Sequence, residues 1–273
     1  MLYTESLIGA AKGFLAISKG NTLKINLKAQ DLAVIGICEA LYAVFGRLTA
    51  GFSFLGVGFL PAVVIPAIFA VLYGPWVGGI GGAIGIFIRD MFVHGNAALS
   101  LVAGVPPNFI LFFLIGYLSH RELDIKKMLI GLLIAAVGLT VPLVVFLPDL
   151  ATFTSLSSFD IVLTFSLTVI LSLVVIAVVA LRWKQWRSFA VAAVFAQAAG
   201  AGLLSVTVWA VSPYFLSYFK APFPISFVTP LFVWTFATEL PFIILVGPAI
   251  IKACYKAFPS LAQRSRQKGE TIE

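Results

Sequence analysis

Long apolar runs alternate with short polar segments along most of the chain. A membrane-spanning helix needs about 20 mostly apolar residues, and runs of that length, or shorter runs paired by a tight break, recur between residues 32 and 257. The pattern therefore predicts an all-α fold, a polytopic membrane helical bundle with about eight transmembrane helices. The predicted helices are Leu32–Ala50, Leu60–Tyr73, Trp76–Phe92, Pro106–Leu118, Met128–Leu147, Ile161–Leu181, Ser188–Val211 and Ser226–Ile251.

The positive charges predict how this bundle is oriented. All but three of the 18 Lys and Arg residues fall in four clusters between or beyond the apolar runs. Short cytoplasmic loops retain Lys and Arg because these residues resist translocation. All four clusters are therefore expected in the cytoplasm, together with both chain termini. The clusters occupy residues 12–28, 121–127, 182–187 and 252–268.

Composition supports a membrane protein and excludes several other classes. The chain is 61% hydrophobic and only 11% charged, whereas a soluble domain carries about 25% charged residues. The net charge of +7 follows from the cytoplasmic loops, where it faces anionic lipid, so a nucleic-acid partner is not expected. The two cysteines are too few for a disulfide framework, and no residue spacing indicates a metal site or a cofactor.

The same pattern divides the chain into three regions. A cytoplasmic N-terminal segment is expected at residues 1–31, a single transmembrane domain at 32–257, and a polar cytoplasmic tail at 258–273. The first segment lacks the apolar core of a signal peptide. The expected location of the whole chain is the plasma membrane.

A glycine-rich stretch between residues 74 and 85 is the densest local pattern in the chain. Gly74-Pro75 is a strong break signal and predicts a tight helical hairpin. After the break, Gly78 and Gly82 share one helix stripe with Gly74, and Gly81 and Gly85 form a neighbouring one. Small residues at this spacing let helix backbones approach closely in lipid. Because the stretch lacks the Lys-Ser/Thr of a phosphate-binding loop, we interpret it as a packing device.

A family resemblance extends over residues 31–118, about a third of the chain. The first helix, the Gly/Phe-rich loop after it, the segment IPAIFAVLYGPWVGGIGGAIGIFIRD and the later helix ending Gly-Tyr-Leu resemble the substrate-binding (S) subunits of energy-coupling-factor vitamin transporters. The resemblance implies capture of a vitamin or related micronutrient, delivered together with a transmembrane coupling subunit and two ATPase subunits. Such S subunits usually have six helices, so eight helices imply an extra hairpin, expected within residues 127–181.

The resemblance also implies a docking face on the first helix. Members of that family contact the coupling subunit through an alanine-spaced face. The matching positions here are Ala33, Gly36, Ala40 and Ala43. Packing within the chain is an alternative use of the same small residues.

Charged residues inside or near the predicted spans are candidate ligand contacts, because a charge within the bilayer is costly. Arg47 and Arg89 are expected to converge beneath the Gly51–Leu60 loop and to bind a carboxylate or phosphate. Contact with lipid headgroups, or for Arg89 a pair with Asp90, is the alternative. Glu239 precedes Leu240-Pro241 inside the last span and is expected in the ligand pocket, whereas Glu39 is expected to be structural.

The remaining candidates are polar or aromatic residues expected in the outer half of the bundle, where they would suit a flat heteroaromatic vitamin. For Trp209 and Tyr214, a place in the aromatic belt at the membrane interface is an alternative, and His94 is expected at the surface. The complete predicted substrate-binding set is Arg47, Phe52, Phe54, Arg89, Asp90, Asn96, Asn108, Gln197, Trp209, Trp234 and Glu239.

Three functions compete on this evidence. A substrate-capture subunit explains the absence of a nucleotide motif and the glycine-patterned hairpin. An autonomous secondary transporter usually shows internal repeats, which the uneven glycine distribution disfavours. A membrane scaffold would leave Glu239 unexplained. An enzyme is not expected, because no nucleophile–base pair occurs on neighbouring helical turns.

Overall fold

The computed structural model describes residues 27–51, 53–120, 130, 144–154 and 157–261. Several sequence predictions fall outside these residues. They include the site residue Phe52, most of the predicted helix Met128–Leu147 with its extra hairpin, most of the N-terminal segment and most of the polar tail.

Helices dominate the described part of the chain, and each helix predicted there is present. The boundaries differ by a few residues, and the last helix extends six residues past its predicted end at Ile251. The helices are α1 Ala29–Leu48, α2 Val64–Tyr73, α3 Pro75–Val93, α4 Ala97–Leu99, α5 Val105–Leu118, α6 Leu147–Thr154, α7 Ser158–Arg182, α8 Arg187–Val211, α9 Leu216–Phe219 and α10 Val228–Ala257.

Within the described residues, four helical segments are long and apolar enough to cross a membrane. Many large apolar side chains are exposed on the helices, among them Leu48 and Leu167. Exposed apolar surface of this extent favours contact with lipid rather than water. The structure is therefore compatible with the predicted membrane bundle. The four segments are Pro75–Val93, Ala97–Leu118, Arg187–Tyr214 and Ile225–Ala257.

The predicted break between α2 and α3 is confirmed at Gly74. This residue has φ 110°, a conformation that glycine adopts without steric cost. Pro75 then opens α3, where its missing N–H breaks no helical hydrogen bond. The chain reverses within one residue, which brings α3 back along α2.

The glycines of α3 are packing sites, as the sequence indicated. A Cβ added to Gly78 would collide with Ala70 of α2, and one added to Gly82 would overlap Phe112 of α5. On the neighbouring stripe, a Cβ at Gly81 would lie 2.8 Å from Cys38 Sγ. The helix therefore contacts three neighbours at distances that exclude any larger residue.

The order of packing places α3 between α1 and α5. Helix α5 packs on α8, α8 packs on α10, and α10 in turn contacts α2 and α7. Buried side chains form two apolar clusters. The larger cluster includes Tyr42, Phe112 and Ile243. The smaller cluster, which includes Phe219 and Phe227, lies where α9 and the start of α10 meet α8 and α4.

A short β-hairpin occupies the loop that the sequence assigned to a connection, while the other described elements are helical. Strands β1 (Ser53–Phe54) and β2 (Val57–Gly58) pair antiparallel. The two residues between them, Leu55 and Gly56, have φ of 51° and 80°. Two successive positive φ values produce the turn whose twist matches a hairpin, and glycine at the second position makes this turn accessible.

A π-helical turn at Ser100–Gly104 joins α4 to α5. The backbone N–H of Val105 donates to the Ser100 carbonyl, five residues earlier. The next two residues, Pro106 and Pro107, have no N–H to donate, which favours an irregular start to α5. Such widened turns frequently occur at functional sites, and this one faces the cavity described below.

Candidate ligand-binding site

A cavity of about 90 Å³ lies between α3, α5, α8 and α10, beneath the β-hairpin. It borders both apolar clusters, touching Leu111 of the larger and Phe219 of the smaller. One water needs about 10–15 Å³ of such volume, so the cavity has room for several waters or one small organic ligand.

The hairpin is held over this cavity by hydrogen bonds to two other elements. Tyr218 of α9 donates from its hydroxyl to the Gly56 carbonyl at 2.9 Å. Trp234 of α10 donates from Nε1 to the Val57 carbonyl at 3.0 Å, and its ring lies 5.7 Å from that of Phe54. Burial raises the pKa of Tyr218, so its hydroxyl keeps the donated proton. The loops expected at one membrane face therefore meet over a shared cavity.

One side of the cavity carries an arginine and an aspartate from the end of α3. Arg89 donates from Nη1 to Asp90 Oδ1 at 3.0 Å, which is the pairing that the sequence left as an alternative. Ser100 of the π-helical turn donates to Asp90 Oδ2 at 2.7 Å. The Nε of Arg89 is buried and has no partner among the described residues.

The position of Arg89 depends on two glycines that leave room for its side chain. A Cβ on Gly58 of β2 would lie 2.5 Å from Arg89 Nη2, and a Cβ on Gly46 of α1 would lie 3.2 Å from Arg89 Cγ. The Arg89 side chain therefore extends from α3, passes Gly46 of α1 and reaches the underside of the hairpin. Arg89 does lie beneath the Gly51–Leu60 loop, as the sequence predicted.

The opposite side of the cavity carries an amide and a carboxyl group. Gln197 of α8 donates from Nε2 to Glu239 Oε2 at 2.8 Å and to the Thr235 carbonyl at 3.2 Å. Two buried oxygens here, Gln197 Oε1 and Thr235 Oγ1, have no hydrogen-bond partner among the described residues. A buried polar atom without a partner costs about 1–3 kcal/mol, so these oxygens favour a ligand that completes them.

Asn108 lies between these two sides and is fixed by its own hydrogen bonds. It accepts from the Tyr42 hydroxyl at 2.8 Å and donates from Nδ2 to the Gly104 carbonyl at 2.9 Å. Tyr42 also packs edge-on against Phe112. Asn108 therefore shapes the cavity wall and ties α1 to α5.

The structure thus brings together five of the predicted binding residues and leaves others out. The prediction that Arg47 converges with Arg89 is wrong, because the Arg47 side chain is exposed and does not border the cavity. Gly46 faces Arg89. Because successive helical residues do not share a face, the next residue, Arg47, faces away from Arg89. The predicted residues that border the cavity are Arg89, Asp90, Asn108, Gln197 and Glu239.

The other predicted contacts have structural roles around the cavity. Asn96 caps α4 by accepting from the Leu99 backbone at 3.0 Å. Trp209 packs against the smaller apolar cluster, while Phe54 and Trp234 hold the hairpin and do not border the cavity. Glu39, which was expected to be structural and not a ligand contact, is half-buried on α1 and also does not border the cavity. Phe54, Trp209 and Trp234 therefore lie outside the lining of this cavity, and a ligand contact by them stays a prediction.

Sequence reasoning missed several residues that do border the cavity. His94 was expected at the surface, yet its ring is 5.1 Å from that of Tyr218 and its Nε2 is 3.7 Å from Asp90 Oδ2. Thr235 precedes Glu239 by four positions, a spacing that puts both on one helix face and could have identified it. Ser100 had no such signal, because its contact depends on the π-helical turn. No group of three potential metal ligands occurs among the described residues.

Most of the predicted docking face is left uncovered by the part of the chain that the structure describes. Ala33 and Ala40 are exposed, and a Cβ added to Gly36 would meet nothing within 4 Å. Ala43 differs because it is buried. Among the described residues, packing within the chain therefore applies to Ala43 and not to the other three positions.

Comparison with known proteins finds relatives that match part of the chain. A UPF0397 protein of Aliivibrio salmonicida (strain LFI1238) is 32% identical over 120 residues, which are 42% of this chain and 66% of that protein. A UPF0397 protein of Aliivibrio fischeri (strain MJ11) is 38% identical over 81 residues, 29% of this chain and 44% of that protein. The chain therefore matches less than two thirds of either relative. No family model matches the chain, and the comparison with solved structures finds no match.

Proposed function

We propose that this protein is the membrane-embedded substrate-capture subunit of an ATP-driven importer of the energy-coupling-factor type, with a vitamin or related micronutrient as its substrate. A transmembrane coupling subunit and two ATPase subunits would supply the energy. The proposal combines the sequence resemblance with one structural observation, the cavity beneath the hairpin.

The observation that supports capture best is the set of buried, unpartnered polar atoms that faces one small cavity. Arg89 Nε, Gln197 Oε1 and Thr235 Oγ1 come from three different helices and border the same space. Ligand sites typically combine apolar walls with a few such polar groups. A scaffold needs no such pocket, so the convergence of polar atoms from three helices on one cavity favours capture over that alternative.

The proposed location is the plasma membrane. The proposed topology has eight spans, with both termini in the cytoplasm. The Gly51–Leu60 and Ser212–Ile225 loops would then face outward, so a ligand enters from outside beneath the hairpin. The basic loop at residues 182–187 would face the cytoplasm. Cysteine labelling from outside the cell tests this arrangement, since a substituted Ser53 should react and a substituted Gln185 should not.

Native mass spectrometry of the purified full chain tests the function itself. A small molecule that co-purifies supports capture and identifies the substrate. Uptake in liposomes supplies the second test, because a capture subunit should accumulate this molecule only with its partner subunits and ATP. Uphill uptake by the isolated chain would instead establish a secondary transporter.

A further inference from the structure

The side of the cavity formed by α8 and α10 offers hydrogen-bond acceptors. Gln197 is fully buried and Thr235 is 4% exposed, and an oxygen of each lacks a partner among the described residues. The Gln197 amide nitrogen is already used on Glu239 and on a backbone carbonyl. The side-chain hydrogen bond of Glu239 ends at Oε2, which leaves Oε1 for a ligand. With Glu239 ionised, Gln197 Oε1 and Glu239 Oε1 are acceptors, and the Thr235 hydroxyl is both an acceptor and a donor.

The side formed by α3 has the opposite character. Both Asp90 oxygens are engaged, Oδ1 by Arg89 and Oδ2 by Ser100. Arg89 Nε–H is buried and has no partner among the described residues. The unused group on this side is therefore a donor, which a ligand would satisfy with an oxygen or another acceptor.

We infer that the captured ligand is a small planar ring with two adjacent N–H donors on the edge that meets Glu239 and Gln197, and with an oxygen acceptor directed towards Arg89. This inference rests on the proposed function and specifies its substrate class. One N–H of the ligand would donate to Glu239 Oε1, and the adjacent N–H would donate to Gln197 Oε1. The edge would then form two parallel hydrogen bonds, as in other bidentate pairs. Aminopyrimidinones have this donor pattern.

The size and the walls of the cavity agree with such a ring. A volume of about 90 Å³ admits a single substituted ring more readily than a long or branched molecule. Leu60, Ile86 and Leu111 border the cavity and offer apolar surface to the two faces of a flat ligand. Polar contacts would then come only from its edges.

Two isomeric probes test this inference on the full purified chain. Isocytosine (2-aminopyrimidin-4-one) has a tautomer with a ring N–H beside an amino group, whereas cytosine has an acceptor nitrogen beside its amino group. The two have the same size and composition. Isothermal titration should show isocytosine binding at least about tenfold more tightly, because a site built for a donor rejects a ligand that lacks it.

Substitutions test whether the preference for isocytosine over cytosine depends on the cavity side that carries Glu239 and Gln197. Glu239→Gln should abolish the preference for isocytosine, because the amide replaces one acceptor with a donor. Glu39→Gln is the matched control, a second helical glutamate away from the cavity, and should retain it. Thr235→Val tests the same edge with little change in shape and should weaken isocytosine binding several-fold, even if Glu239→Gln does not fold.

Equal binding of the two probes, binding of neither, or wild-type affinity for isocytosine in Thr235→Val would each overturn the inference. The proposed function is tested separately by the co-purified molecule. A captured molecule without adjacent N–H donors would refute this substrate class and leave capture intact. Uphill transport by the isolated chain would refute capture, whatever the probes show.

Discussion

Gln197 of α8 donates a hydrogen bond to Glu239 of α10 at 2.8 Å, and both residues lie at the cavity wall. The bond joins two helices, and the two bonded residues are 42 positions apart in the chain. A buried carboxyl group requires such a donor. The pair therefore links the stability of the bundle to the chemistry of its candidate site.

A double-mutant cycle should detect this link. We expect Gln197→Ala and Glu239→Ala each to lower thermal stability, with a coupling energy near the average of about 0.6 kcal/mol, and at most about 1.7 kcal/mol, for hydrogen bonds between membrane helices. Thermal unfolding of the detergent-solubilised variants, followed by thiol accessibility, measures it. Strict additivity of the two single effects would show that the residues do not interact.

Arg47 and Arg89 provide a matched pair of variants. Arg89→Ala should weaken binding of the co-purified ligand about 10- to 100-fold, because it removes a buried charged donor. Arg47→Ala should leave affinity unchanged, since Arg47 is exposed and away from the cavity. Titration of both variants with that ligand decides the matter, and comparable losses in the two would contradict the described site.

Gly58 should be required for the position of Arg89. Gly58→Ala places a Cβ 2.5 Å from Arg89 Nη2, so the flexible arginine must move. We expect a folded protein with about tenfold weaker ligand binding. Gly51→Ala is the control from the same loop, because its Cβ would meet nothing within 4 Å. Unchanged affinity in Gly58→Ala would show that the arginine position is unimportant.

Removing the Tyr218 hydroxyl should loosen the hairpin over the cavity. Tyr218→Phe loses the hydrogen bond to the Gly56 carbonyl, a contribution of about 0.5–1.5 kcal/mol. Ligand dissociation, measured by stopped-flow fluorescence, should be about 2- to 10-fold faster. Tyr214→Phe is the control, because Tyr214 is 83% exposed. The same dissociation rate in Tyr218→Phe and wild type would exclude the hairpin as a barrier to release.

The small-residue face of α1 should matter for transport and not for binding. Gly36→Leu and Ala40→Leu add bulk where the described residues leave space. Under the proposed function they should prevent docking of the coupling subunit and abolish ATP-driven uptake, while ligand affinity stays at the wild-type value. Reconstituted uptake and equilibrium titration separate the two effects. Wild-type uptake in both variants would remove this face from the proposal.

The sequence predicted helices well because each depends on a local property, the length of an apolar run and its breaks. Gly74-Pro75 ended one helix and began the next as expected, and the glycines of α3 packed against neighbouring helices. The hairpin at Ser53–Gly58 was missed, because the apolar run that surrounds it contains no alternating strand pattern. Among the polar candidates, sequence position alone could not separate Arg47 from Arg89.

The sequence by itself determined that the described chain forms long apolar helices with charged groups at a few costly positions, since hydrophobicity and helix length are properties of consecutive residues. Only the tertiary structure decided which of those groups meet. Gln197, Glu239 and Arg89 lie on three helices far apart in the chain, and their distances depend on how closely glycine lets those helices approach. The π-helical turn that brings Ser100 to Asp90 likewise exists only in the packed bundle.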